Sequence, residues 1–259
     1  MFKDQNAVVD ILPALLIFIL LVAASLGSLE IYERLPDRYK QDDTFNVVRL
    51  VAGIFIMMTS LVLGLMINSS RAGFETIDRN VHGFATDLIL LDKTLEDYGP
   101  AAEDARKGLI AYVEQALAGT WPAHGPVVVA DKSAEQLLNE VGRKLRAIAP
   151  PDAEYLAIWQ DARQRYQKVV ERRWVLVEES EYGIPGKPFI FMVVAWLVLI
   201  FGSLGLRAPR NAIVVASFVL SAGLISAALY LILDMDQPFS GPIRVSPAPL
   251  ERALAEMQP

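Results

Sequence analysis

The segment Asp234-Met235-Asp236-Gln237-Pro238-Phe239-Ser240-Gly241 holds the two carboxylates whose position most needs a chemical explanation. They follow directly on an apolar run at 212–233. On a helix they therefore occupy the C-terminal end, where backbone carbonyl dipoles already present negative charge and a further carboxylate is unfavourable. Something must offset them. Arg71, Arg172, Arg173 or Arg244 can pair with them. A bound cation such as Ca²⁺ is the weaker explanation, because it needs several oxygen ligands and only Asp234 and Asp236 are at hand. Pro238 and Gly241 mark a turn carrying Phe239 and Ser240 back towards the membrane surface, after which a short helix can begin at 246–251.

A second group with chemical potential lies in the apolar run 47–67 and just beyond it: Met57, Thr59, Ser60, Leu61, Leu65, Asn68 and Ser69. Uncharged hydroxyls and apolar constrictions are what line a passage for small ions. Small residues also mark close helix packing in lipid, as do Ala24 with Ser28, Ser217 with Ser221 and Gly223 with Ala227, and both readings stay open. The apolar runs lack a central Lys, Arg, Asp or Glu, the usual mark of a pump, voltage sensor or ion-coupled transporter. No nucleophilic motif, phosphate loop or metal-ligand spacing occurs. Cysteine is absent, and His82 and His124 are far apart. Glu178, Glu179 and Glu181 read as solvated helix surface. The chain is expected not to be an enzyme and to hold no cofactor and no metal.

Four apolar runs must position these residues: 11–29, 47–67, 189–206 and 212–233, each 18 to 22 residues long and free of charge apart from Arg49 near the start of the second. At about 1.5 Å per residue, a helix of that length crosses a hydrocarbon core of about 30 Å. The expected fold is all-α and integral to a membrane. It has four transmembrane helices in two hairpins, 1–68 and 188–234, with a soluble helical bundle at 69–187 between the second and third spans and a tail at 235–259. The first run is too long for a secretion signal and reads as a retained anchor.

From Phe74 onward, apolar residues fall at 74, 77, 81, 84, 88, 91 and 95, alternating steps of three and four. That is a coiled-coil type of seam, on a stalk that continues the second span to Tyr98, Gly99 and Pro100. It can pack against the returning helix of its own subunit or against another copy. Further helices are expected at 101–117, from a capping box Ser133 to Gln136 through Leu137, Val141, Leu145 and Ile148, and from an Asp152 cap through Leu156, Trp159, Tyr166, Val169 and Val170. A hinge at 183–186 leads into the third span. Residues 127–129 are too few to support a strand. The insert reads as a helical bundle.

The net charge of −6, pI near 5.1 and mean hydropathy of +0.34 fit a chain divided between lipid and water, and argue against nucleic acid as a partner. Lys and Arg near the membrane are distributed over both sides, so the positive-inside rule does not orient the chain.

Several motifs together resemble the bacterial bestrophin-like family of membrane proteins: 74–81, 91–95, Tyr98-Gly99-Pro100, Trp121-Pro122, Trp196-Leu197, 205–211 and 234–241. The resemblance covers nearly the whole chain and implies kinship with bestrophins, which are pentameric anion channels with membrane hairpins flanking a cytoplasmic helical region. Residues 60–65 are similar to the neck of the bestrophin second helix, but Met57, Leu61 and Leu65 stand where that family has aromatic rings. Asp234 and Asp236 lie where some bestrophins carry a longer acidic calcium-binding run. By this resemblance the expected protein is an oligomeric passive channel for small anions in the bacterial inner membrane, pentameric and bathed in lipid, with insert and termini cytoplasmic. The alternative is a non-conducting scaffold or sensor that binds a protein partner through its stalk, and a membrane-surface enzyme using Asp234, Asp236 and nearby arginines ranks third.

Overall fold

The computed structural model describes residues 3–36, 42–122, 127–181, 187–206 and 208–258. Helices follow in the order α1 (Lys3–Arg34), α2 (Asp42–Tyr98), a 3₁₀ turn (Pro100–Ala102), α3 (Glu103–Thr120), α4 (Lys132–Ala147), α5 (Ala153–Glu181), α6 (Lys187–Gly205), α7 (Ala212–Met235) and α8 (Ala248–Met257). Among the described residues there is no strand, and the protein is all-α. Three helical stretches are long and apolar enough to cross a membrane: Ile11–Arg34, Phe45–Tyr98 and Ala212–Met235. The third apolar run forms a shorter apolar helix, Phe189–Gly205. The expected hinge at 183–186 and His124 lie outside the described residues.

The chain divides into two compact units, 1–72 with 184–236 and 73–183 with 237–259. The tail thus belongs with the insert, whereas the sequence reading set it apart.

In the first unit α1 packs against both α6 and α7. The core consists of Ile17, Leu21, Met66, Val193, Leu197, Phe201, Ala222, Leu229 and Ile232. Lipid is as apolar as these side chains, so burial alone drives little association and close fit must do it. Gly205 illustrates that fit: a Cβ there would collide with the Ser28 hydroxyl and the Ser25 carbonyl. Both serines are buried and satisfy their hydroxyls on their own helix, Ser25 donating to the Val22 carbonyl (3.0 Å) and Ser28 to the Ser25 carbonyl (2.8 Å). Arg210 ties the α6–α7 connection to the end of α1, donating to the Leu29 carbonyl and reaching Glu30 and Glu33 at 3.1 Å each.

In the second unit the expected seam is a core stripe. Ile77, Val81, Phe84, Leu88, Leu91 and Leu95 are buried, Phe74 is half-buried, and they pack with residues of α3, α4, α5, the tail and α8 of the same chain. Phe84 meets the Tyr112 ring edge-on at 6.4 Å, and Tyr98 meets Tyr155 at 5.3 Å. Polar pairs fix the register of this packing. Buried Asp92 takes two bonds from Arg106 of α3 (2.9 and 3.2 Å), and burial pushes its carboxyl above the ordinary value despite that guanidinium. Arg172 of α5 donates to Asp87 (2.7 Å), and Asn80 donates to Glu179 (2.7 Å), so Glu179 is not the solvated group the sequence suggested.

The helix starts follow local chemistry. Asp131, rather than Ser133, caps α4 by accepting from the Ser133 amide (2.8 Å), while Asp152 caps α5 through the Tyr155 amide (2.9 Å) as expected. Leu156, counted on the apolar side of α5 from sequence, is exposed, and the buried face runs through Ala162, Val169, Leu176 and Val177.

Leu88 is fully buried at the centre of the stripe. Leu88→Glu places a charge there without a partner and is expected to cost more than about 3 kcal/mol, seen as loss of the monodisperse peak and a depressed Tm. Asp97→Lys, on an exposed position in the last turn of α2, leaves both unchanged.

Candidate functional site

The membrane-crossing part of α2 presents two contrasting sides. Ala52, Thr59, Met66 and Ser70 are buried, and Val62 and Leu63 pack with the first unit's core. On the other side Met57, Leu61 and Leu65 are 75%, 66% and 61% exposed. At about 100° per residue these three, with Gly64 and Asn68, share an arc of roughly 100° along the helix. Ser60 and Ser69 flank it, both exposed.

Thr59 does not join them. It sits about 160° from Leu61 on the wheel, buried to 4% exposure, with its hydroxyl unpartnered. The sequence reading grouped it with the exposed residues by proximity along the chain; helix periodicity turns it inward. Of the remaining six, Met57, Leu61, Leu65 and Asn68 share the strip, apolar from Met57 to Leu65 and polar at Asn68, with Ser60 and Ser69 at its edges. Arg71, exposed, lies about 40° from Met57, while Arg49, also exposed and at the start of the span, lies about 160° from Leu65 and so off the strip.

The tail motif has a structural part. Pro238 and Phe239 are buried, and Phe239 meets the Trp121 ring edge-on at 5.4 Å. Trp121 donates its indole N–H to the Val245 carbonyl (2.8 Å), and the Val245 amide donates to the Pro238 carbonyl (2.7 Å). Ser240 closes the turn, its amide donating to the Gln237 carbonyl (3.0 Å) and its hydroxyl to the Gln237 side chain. Gly241 has φ of +78°, a conformation that favours glycine. The motif therefore anchors the tail in the second unit's core.

Asp234 is buried and Asp236 half-buried at the end of α7. Of the arginines offered as their partners from sequence, Arg172 bonds Asp87 and Arg173 faces Glu135 at 3.8 Å. Among the described residues no group of three His, Cys, Asp or Glu is placed to hold a metal ion. Sequence reasoning offered Arg173 only as a partner for those acids and did not foresee that it is buried. The signal was its place at a core position of α5, in step with Ala162, Tyr166, Val169 and Leu176.

A bestrophin-like domain is matched over residues 19–250, taking in the second half of α1, all of α2 to α7 and the tail motif. The chain belongs to the bestrophin-like family. No curated protein and no solved structure matches it. The matched span of this bestrophin-like protein contains both the exposed strip of α2 and the 234–241 motif.

Phe239→Ala removes an aromatic side chain packed on Trp121 and is expected to cost roughly 3–5 kcal/mol, while a chelator leaves the wild-type Tm unchanged. A fall in wild-type Tm on adding EDTA, reversed by Ca²⁺, would show instead that a cation holds Asp234 and Asp236.

Proposed function

We propose that this bestrophin-like chain is the subunit of an oligomeric, four-span passive channel for small anions, with the outer strip of α2 lining the path. One observation carries the reading: Met57, Leu61 and Leu65 form an apolar strip that the chain leaves uncovered while the opposite side of α2 packs on its own unit. In a ring of copies such strips converge on an axis, and leucine rings make an apolar constriction that gates by excluding water. Asn68 and Ser69 extend the strip with uncharged polar groups. Arg71 follows it with positive charge, which attracts anions to that end.

Four spans fit the placement of the short connections. Arg210, between α6 and α7, bonds Glu30 and Glu33 at the end of α1, so both hairpin tips share one end of the first unit. The shorter apolar helix would then be the third span, joined to α7 by the short connection at Arg210, with both helices packed on α1. The family kinship supports a pentamer in the bacterial inner membrane, with the insert and both termini cytoplasmic, and no covalent chemistry is ascribed to the chain. The scaffold reading needs a stalk seam open to a partner, and that seam is buried within the chain.

Leu61→Ala with Leu65→Ala widens and wets the neck. Neither side chain is packed within the chain, so folding stability changes little, while anion flux into reconstituted vesicles rises several-fold over wild type and native mass spectrometry keeps the same oligomer. Assembled protein of both forms that carries no anion flux under several ionic conditions sinks the channel reading.

A further inference from the structure

Three exposed arginines of the second unit, Arg143, Arg146 and Arg163, have no carboxylate partner among the described residues, and they lie together. Other arginines of the unit are paired: Arg106 with Asp92, Arg165 with Asp161, Arg172 with Asp87 and Arg173 with Glu135. In a chain of net charge −6 such a cluster stands out.

Arg146 of α4 and Arg163 of α5 line one notch of about 50 Å³ with Gly142, Leu145, Tyr166 and Gln167. Two bonds hold the helices in this register: the Trp159 indole N–H donates to the Leu145 carbonyl (2.9 Å) and the Tyr166 hydroxyl to the Leu138 carbonyl (3.1 Å). Gly142 permits the approach, since a Cβ there would collide with the Tyr166 hydroxyl. The Arg163 guanidinium carbon stands 4.7 Å over the Trp159 ring, which orients it. Burial lifts the Tyr166 phenol above its ordinary value and the Arg146 charge works against that lift, so that charge is felt at the notch. Arg143 precedes Arg146 by three positions on α4, a spacing that sets Cβ atoms about 5–6 Å apart.

Helix electrostatics explains only part of this arrangement. Arg146 lies in the last turn of α4, where the macrodipole favours a cation. Arg163 sits in the interior of α5, and the positions three and four away on either side are Trp159, Gln160, Tyr166 and Gln167, none of them acidic. Glu140, three positions before Arg143, stands 3.8 Å from Lys144 instead. Like charges at this spacing repel, and a bound anion turns that repulsion into attraction.

We propose that the notch binds one phosphoryl group of a soluble oligophosphate, held between Arg146 and Arg163 with Gln167 beside it, while Arg143 takes the neighbouring phosphoryl group. A space of this size admits the oxygens of one small anion and no organic body. A guanidinium fork matches phosphate bidentately, and three terminal oxygens can fill two forks at once, whereas the two oxygens of a carboxylate fill one. A phosphoryl group carries about −1.5 to −2 at pH 7, so two of them balance three guanidiniums. The notch lies wholly in the second unit, and its occupancy does not depend on conduction.

The test uses the full chain in nanodiscs of zwitterionic lipid, titrated by calorimetry at physiological ionic strength with pyrophosphate, inorganic phosphate and citrate. Pyrophosphate is expected to bind at submillimolar concentration, with phosphate at least tenfold weaker and citrate, a carboxylate anion of comparable charge, at least tenfold weaker too. Arg146→Gln and Arg163→Gln should each weaken pyrophosphate at least tenfold, and Arg143→Gln should bring pyrophosphate down to the level of phosphate. All three side chains are exposed, so the variants are expected to fold, which an unchanged chromatographic peak checks. Lys168→Gln removes an exposed cation about 140° around α5 from Arg163 and should leave the affinity unchanged. The proposal is overturned if pyrophosphate does not bind, if phosphate or citrate binds as tightly, if a folded Arg146 or Arg163 variant binds as wild type does, or if Lys168→Gln weakens binding as much as they do.

Discussion

The alternation of three- and four-residue steps along α2 is the constraint on which the other helices depend. Buried positions recur at 52, 59, 66, 70, 77, 81, 84, 88, 91 and 95, one stripe along a helix of 57 residues. In the first unit the stripe supplies Met66 to a core shared with α1, α6 and α7. In the second it is the surface on which residues of α3, α4, α5 and the tail collect. A glycine sits inside the helix at 73 without ending it, because the residues on both sides keep the same face apolar or small and a single glycine costs only about 1 kcal/mol in a helix interior.

The same stripe is held by different physics in its two halves. Where hydrocarbon is the surrounding medium, apolar contact gains little over lipid, and the discriminating contacts are close ones between small groups. Gly205 against Ser25 and Ser28 is such a contact, and the serine hydroxyls bond back to their own backbone instead of competing with it. The second unit carries exposed Lys93, Glu96, Lys107 and Glu140 outside and gains from removing apolar area from water. Register there is set by charge: Asp92 with Arg106 and Asp87 with Arg172 specify which turn of α2 faces α3 and α5.

Periodicity made the helices and the seam legible from sequence, because each seam residue repeats a pattern that a short window records. The caps at Asp152 and the turn at 238–241 were legible for a similar reason, being local chemistry. What was not legible depended on partners distant in sequence. Asp87 reads as an off-seam surface residue, and only the fold brings Arg172, 85 positions away, to it. Thr59 was misplaced because residue type was weighed before its angle on the helix. The tail motif was singled out for its acids, whereas its conformation is fixed by Phe239 on Trp121 and by the left-handed backbone of Gly241.

The described residues leave the outer strip of α2 open, whereas the charge that the second unit buries is closed on its own neighbours. The outer strip of α2 is apolar surface with nothing of the same chain over it, which in a bilayer is free to face lipid or copies of itself. Lipid contact alone accounts for Met57, Leu61 and Leu65, and Asn68, Ser69 and Arg71 follow the end of the apolar run, where polar side chains meet headgroups and water. Arg173 is the converse case, a charge removed from water that meets the Glu135 carboxylate at 3.8 Å, the Asp131 carbonyl and the Trp174 ring. The first leaves a choice between lipid and a neighbouring copy, and the second is closed within its own unit.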